Sequence, residues 1–210
     1  KTLEINFTHI DNLKEVKFDF YCSIMSLPFV FNTDLNNIPN KNFYLFANKE
    51  KELFWKKRIN KNKSKKIGLA WSGDKIHGRF PNKHIPLAKF EEILDLPYDF
   101  YSLQIKYDDG DEKIINEKKN FFCQKKEIIG FDNTAALINN LDLVITLDTS
   151  IAHLSGALGK ETWILLPYVA DFRWLINRED SPWYSAVKLF RQTKIDNWDE
   201  IIDIVKNKLI

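Results

Sequence analysis

At roughly 100–200 residues per domain, 210 residues make one large domain or two modest ones. Apolar residues make up 44% and charged residues 29%, a globular balance that excludes disorder by composition. The 31 basic and 29 acidic residues leave a net charge of +2, which argues against a nucleic-acid binder, whose affinity comes from Lys and Arg clustered on phosphates.

No apolar run approaches the roughly 18 residues of a membrane span, and Lys1-Thr2-Leu3-Glu4 is not the start of a signal peptide. Cys22 and Cys123 match no metal-ligand spacing and read as free thiols in a reducing compartment, so the expected location is the cytoplasm. The chain opens without Met, in what reads as the middle of a pattern.

Residues 1 to about 47 are rich in Asn, Phe and aliphatics, with turns at Pro28 and at Ile38-Pro39-Asn40 and one predicted strand, Phe18 to Cys22. Asn48 to Ile59 is predicted as a helix. It runs into the basic stretch Asn60-Lys61-Asn62-Lys63-Ser64-Lys65-Lys66, read as a solvated linker because no aromatic residues interleave with it. The expected division is therefore 1–65, the end of one domain with its linker, and 66–210, a second domain.

From Ile67 onward, short apolar runs alternate with amphipathic segments. The predicted order is strand Ile67 to Trp71, helix Leu87 to Leu96, strand Phe100 to Gln104, helix Asp111 to Lys119, strand Ile128-Ile129 and helix Thr134 to Leu141. There follow strand Leu143 to Leu147, helix Ile151 to Leu158, strands Thr162 to Leu166 and Val187 to Phe190, and helix Trp198 to Leu209. Alternating βα units with continuous β-branched strands imply an α/β fold, a Rossmann-like parallel sheet with helices on both faces.

In such a sheet, ligands bind beyond the carboxyl ends of the strands, where loops lead into helix N-termini. Two strand ends carry suitable residues. After the first comes Ser72-Gly73-Asp74, continuing through Arg79 to Lys83-His84-Ile85-Pro86. A small residue and a Gly let backbone N–H groups approach a phosphate, and a long cationic loop can close over a diphosphate. The second is Asp148-Thr149-Ser150-Ile151-Ala152-His153, where Thr149 and Ser150 fit the cap and first turn of a helix and His153 falls one turn in. A lone helical His is more often a packed residue than a ligand-binding one. The small residues Ala152, Ser155, Gly156 and Ala157 beside it reverse that reading, because they permit close approach of helix, backbone and ligand.

Two further segments carry residues of chemical interest. Asp109-Gly110-Asp111 has the D-x-D form that can hold a divalent metal, yet clustered Asp and Gly are what turns and helix caps favour, and it is read as such. Asp171 to Trp174 and Arg178 to Tyr184 are dense in Arg and aromatics, which could stack on a base or sugar or anchor a loop by Trp packing. Walker A, Gly-x-Ser-x-Gly and Gly-x-Gly-x-x-Gly patterns do not occur.

Taken in order, Gly68 to Gly73, Ser102-Leu103-Gln104, Phe131 to Leu137, Asp148 to Lys160, Trp174 through Tyr184 and Leu189 to Gln192 closely resemble the C-terminal half of bacterial proteins with a heptosyltransferase-like (glycosyltransferase family 9) domain, often behind tetratricopeptide repeats. Met25-Ser26-Leu27-Pro28 is similar, more weakly, to the end of that family's N-terminal domain. The resemblance implies a GT-B arrangement, with a C-terminal domain that binds a nucleotide-diphosphate sugar and an N-terminal domain that binds the acceptor and supplies the base. It implies donor-binding roles for Ser72, Gly73, Gln104, Asp148, Thr149, Ser150 and His153, with Lys83 or Arg79 as the phosphate-binding cation. It also implies metal-independent transfer without a cofactor, to a glycan, lipid or protein acceptor that the residues do not identify. The chain departs from the pattern at His84, where relatives often have Arg, and at Glu161, where Pro is common. No residue reads as the catalytic base, so the chain is either a fragment of such an enzyme or a degenerate nucleotide-sugar-binding or scaffold module.

Overall fold

A computed structural model describes residues 17–40, 43–59, 61–73 and 84–210. The chain divides into two compact units, residues 1–38 and 39–210. In the first, a 3₁₀ turn at Ile24–Ser26 runs into the single-turn helix α1 (Leu27–Val30), where Pro28 takes the first turn, the one place in a helix where its missing N–H is not needed. The strand expected over Phe18 to Cys22 is not formed. Aromatic composition favours a strand only where a neighbouring strand completes the ladder, and none is described for it.

The second unit opens with helix α2 (Lys49–Arg58), whose first-turn N–H groups of Glu50 and Lys51 are accepted by the Asn48 side chain at 2.9 and 3.2 Å. Six strands follow: β1 (Lys66–Ala70), β2 (Asp99–Ser102), β3 (Phe121–Cys123), β4 (Leu143–Leu147), β5 (Thr162–Leu166) and β6 (Val187–Arg191). Between and after them lie α3 (Glu91–Leu94), α4 (Asp109–Glu117), α5 (Phe131–Asn139), α6 (Ser150–Ala157) and α7 (Asp199–Leu209). All five strand pairings are parallel, and the order across the sheet is β3-β2-β1-β4-β5-β6, the doubly wound Rossmann arrangement. The fold expected from the alternation of strands and helices is therefore the fold observed.

Side-chain alternation divides the core into two layers. Ile67, Leu69, Phe100, Leu143, Ile145, Leu147, Trp163 and Leu165 point to one face, where they meet α3, α7 and the 3₁₀ turn Leu87–Phe90. Ala70, Tyr101 and Val144 point to the other, under α5 and α6, and Ile164, Leu166, Val187 and Leu189 continue that face beside Ala152 and Trp174. Gly68 leaves room on β1 for the side chains of Leu141, which leads into β4, and Leu103, which follows β2: a Cβ there would stand 2.7 and 2.8 Å from them. Helix α2 joins the same layer through the buried Trp55, and the Asn140 amide donates to the Glu52 carbonyl at 3.0 Å.

Two expectations are corrected. The third strand is Phe121–Cys123 rather than Ile128-Ile129. Ile128 is fully buried but unpaired, just after a turn, and its carbonyl accepts from the Thr134 hydroxyl at 3.2 Å, so its β-branched side chain serves the core without a ladder. The helix predicted over Leu87 to Leu96 splits into the 3₁₀ turn and the short α3.

Candidate functional site

Strands β1 and β4 are neighbours, and the chain winds outward from them in opposite directions. The crevice beyond their carboxyl ends is the switch point at which doubly wound sheets bind ligands. Ala70 pairs with Thr146 across a parallel ladder, so Ser72 and Asp148 each lie two residues past a matched pair, on the same edge of the sheet. Both predicted loops therefore leave the sheet side by side.

The first loop is held by side chains. Its backbone continues the β1 pattern by one residue through Gln104: Ser72 N–H donates to Gln104 Oε1 at 3.3 Å, and Gln104 Nε2 donates to the Ser72 carbonyl at 2.9 Å. Across the loop, Ser72 and His84 form an antiparallel bridge, Ile85 N–H donates to the Trp71 carbonyl at 2.9 Å, and His84 Nδ1 lies 3.0 Å from Ser72 Oγ. The Ser72 hydroxyl reaches the Gly73 carbonyl at 3.1 Å. Arg79 and Lys83, the candidate cations, lie outside the described residues.

The second loop starts helix α6. Thr149 is the N-cap: its hydroxyl accepts from Ile151 N–H at 3.3 Å and sits 3.3 Å from the Thr146 hydroxyl. Its carbonyl accepts from Ala152 N–H at 3.0 Å. Ser150, the first helical residue, is exposed at this end, where the helix dipole favours an anion. Asp148 is buried, and its Oδ1 lies 4.0 Å from His153 Nε2.

His153 does not stand alone, and its partners come from the Arg- and aromatic-rich segment. Its ring stacks on the fully buried Trp174 at 5.1 Å and 16°, and its Nδ1 lies 3.0 Å from the Tyr184 hydroxyl. Within that segment the expected Trp packing forms. Trp183 Nε1 donates to the Arg173 carbonyl at 2.7 Å, while Arg173 pairs with Asp171 and Arg178 with Asp180. Trp174 and Tyr184 belong to the Arg- and aromatic-rich segment, and nothing in their spacing joins them to His153. Gly156, one turn beyond His153 on α6, was the available signal.

A Cβ on Gly156 would stand 2.6 Å from the Tyr184 ring, so only Gly lets that ring lie against the helix. Gly156→Ala is therefore expected to destabilise the fold by about 1–3 kcal/mol through overpacking and to displace Tyr184. Urea unfolding of both proteins checks it, and an unchanged midpoint would show that the ring gives way without strain.

The D-x-D residues open helix α4 earlier than expected: Asp108 is the N-cap and Asp111 completes a capping box, so the capping part of the reading holds and the Gly-centred turn does not form. The buried Asp111 carboxylate accepts from Asp108 N–H at 3.2 Å and from Trp71 Nε1 at 2.9 Å. Among the described residues, no group of three His, Cys, Asp or Glu is arranged to hold a metal ion, and no helix is long and apolar enough to cross a membrane. Lys160, in the run after α6, precedes β5 and so lies at the opposite edge from the crevice. There it donates to the Asn139 and Leu141 carbonyls at the end of α5, and burial lowers its pKa.

No protein-family model matches the chain. It is 24% identical over 200 residues to Protein FlbA of Caulobacter vibrioides, covering 92% of this chain and 33% of that protein. Two solved structures share its fold. ADP-heptose LPS heptosyltransferase II of E. coli matches at TM-score 0.55 and 12% identity, over 79% of this chain and 54% of that one. A family 9 glycosyltransferase of Veillonella parvula matches at TM-score 0.56 and 14% identity, over 87% and 52%. The chain thus spans about half the length of these solved proteins and a third of FlbA.

Proposed function

We propose that the chain is the donor-binding part of a glycosyltransferase that moves a sugar from a nucleotide-diphosphate sugar to an acceptor hydroxyl. The observation that carries this reading is the meeting of the Ser72 and Asp148 loops at the switch point, with the N-terminus of α6 between β4 and the crevice. The fold shared with the two glycosyltransferase structures supports it.

On this reading the diphosphate lies at the start of α6, held by backbone N–H groups and the Ser150 hydroxyl, with Thr149 fixing the helix end as its cap. Gln104 holds the Ser72-Gly73 backbone in place, and Lys83 or Arg79 supplies a positive charge from the same loop. The acceptor oxygen attacks the anomeric carbon as the bond from that carbon to the phosphate oxygen breaks, and the electron pair leaves on the diphosphate. That oxygen gains charge in the transition state, so the helix end and the cation accelerate departure rather than merely bind the donor. The acceptor proton passes to a base, which we assign to the N-terminal half of the whole protein, together with acceptor binding. The reaction draws on no metal ion and no cofactor, and its proposed setting is the cytoplasm.

The test is calorimetric titration of ADP, UDP and GDP into the wild-type chain and into Arg79→Ala and Lys83→Ala. A charge-assisted hydrogen bond is worth roughly 1.5–3 kcal/mol, so losing the operative cation should weaken binding by about ten- to a hundredfold. Absence of wild-type binding at millimolar nucleotide would overturn the reading and leave a scaffold module in its place.

A further inference from the structure

We infer that Arg191 is a positioning residue for the crevice: its guanidinium grips the chain on both sides of Leu175 and so seats Trp174 against the His153 ring. Arg191 is the last residue of β6, and its side chain is half-buried. Two of its nitrogens are committed to backbone. Nη2 donates to the Trp174 carbonyl, and Nε donates to the Arg178 carbonyl at 3.4 Å.

The segment held in this way is strained. Leu175 closes the 3₁₀ turn Phe172–Trp174 with φ 51° and ψ −166°, and Asn177 follows at φ 57°. Backbone of the Leu175 kind is close to glycine-only, so a branched residue keeps it only where its surroundings over-determine the conformation. The outer ends of the segment are fixed by two bonds, Trp183 Nε1 to the Arg173 carbonyl and Leu189 N–H to the Glu179 carbonyl, each at 2.7 Å. Between these anchors the guanidinium spans from the residue before Leu175 to Arg178. Its planar fork suits two carbonyls at once, whereas a Lys ammonium is a single point charge.

The effect falls on His153. Trp174 is fully buried, and its ring lies on the imidazole at 5.1 Å and 16°. Because Arg191 grips the carbonyl of that same residue, the fork sets where the indole stands and hence the plane of the imidazole on α6. Arg191 also differs in charge from its neighbours. Arg173 and Arg178 pair with Asp171 and Asp180, whereas among the described residues Arg191 meets carbonyls and forms no ion pair, so its positive charge is not neutralised locally.

The grip on Leu175 stands independently of the proposed function; its benefit to nucleotide binding rests on that reading. The test is ¹H–¹³C correlation spectroscopy of the histidine rings in wild type, in Arg191→Lys, and in Arg191→Lys combined with Leu175→Gly. The chain has 4 His, and His153→Gln identifies the His153 signals by their loss. A ring stacked on an indole face is shifted upfield by the ring current, so wild-type His153 should be shifted upfield of an unstructured histidine. Arg191→Lys is expected to lose most of that shift. Leu175→Gly relieves the strain that the fork holds in place, and the double variant should recover the shift. A residue that contributed only stability would leave the His153 signal where it is in any folded variant. An unchanged signal in Arg191→Lys, or a double variant no closer to wild type than the single one, overturns the inference. Should Arg191→Lys fail to fold, the double variant decides alone: it must fold and show the upfield signal. Nucleoside-diphosphate titration gives the second readout, with affinity in Arg191→Lys expected to fall roughly threefold to tenfold. Unchanged affinity there, with wild type binding, overturns the role in the crevice. Failure of the wild type to bind nucleotide while the His153 signals behave as expected would overturn the proposed function alone.

Discussion

Trp71→Ala is expected to lower the unfolding free energy by about 3–5 kcal/mol, as removal of a fully buried aromatic does. The side chain sits just past the end of β1 with no exposed surface, stacked on Tyr107 at 5.6 Å and 7° and packed against Phe121 at 5.9 Å. Its indole N–H also satisfies the buried Asp111 carboxylate. Trp71→Phe separates the two contributions. It keeps an aromatic ring in the slot but deprives the carboxylate of its indole donor, for an expected loss of about 1–3 kcal/mol. Guanidinium unfolding of the three proteins measures both steps. A Phe variant as stable as wild type would mean that the indole–carboxylate bond contributes nothing net.

The largest functional effect is expected from Ser150→Asp. A carboxylate on the first residue of α6 would stand where a diphosphate is proposed to bind, and two unit charges about 5 Å apart at an effective dielectric of 20 repel by roughly 3 kcal/mol. Nucleoside-diphosphate affinity should therefore fall more than a hundredfold. Folding should not suffer, because an acidic residue in the first turn of a helix is favoured by about 0.3–1 kcal/mol. Calorimetry and thermal melts on the same sample check the pair, and the affinity loss should shrink with added salt because Ser150 is exposed. Equal loss of affinity and stability would point to general damage instead of repulsion at an anion site.

The sheet was legible because its strands are short β-branched runs separated by amphipathic helices, a pattern that few folds satisfy. The error at β3 has a local cause. Phe121-Phe122-Cys123 lies at the edge with only three ladder residues, whereas Ile128 shows the stronger β-branched signal and is buried without being paired. The positions of Ser72 and Asp148 followed from topology alone, since both leave adjacent parallel strands. The environment of His153 did not. Its neighbours Trp174 and Tyr184 come from segments 21 and 31 residues further along the chain, and no spacing rule connects them. Gln104, expected among the donor-binding residues, contacts the Ser72 backbone through both its amide oxygen and its nitrogen, a pairing no local spacing announces.

The clamp at the base of the first loop bears on how this scaffold can change over time. With Ser72 bridged to His84, Trp71 bonded to Ile85 and the Ser72 backbone held on both its N–H and its carbonyl by the Gln104 amide, the end of β1 is braced from two sides. A wall of the crevice is thus set before any ligand arrives, and binding against it carries little further ordering cost. Over time, a change at Gln104 or His84 would reach the crevice without touching a ligand.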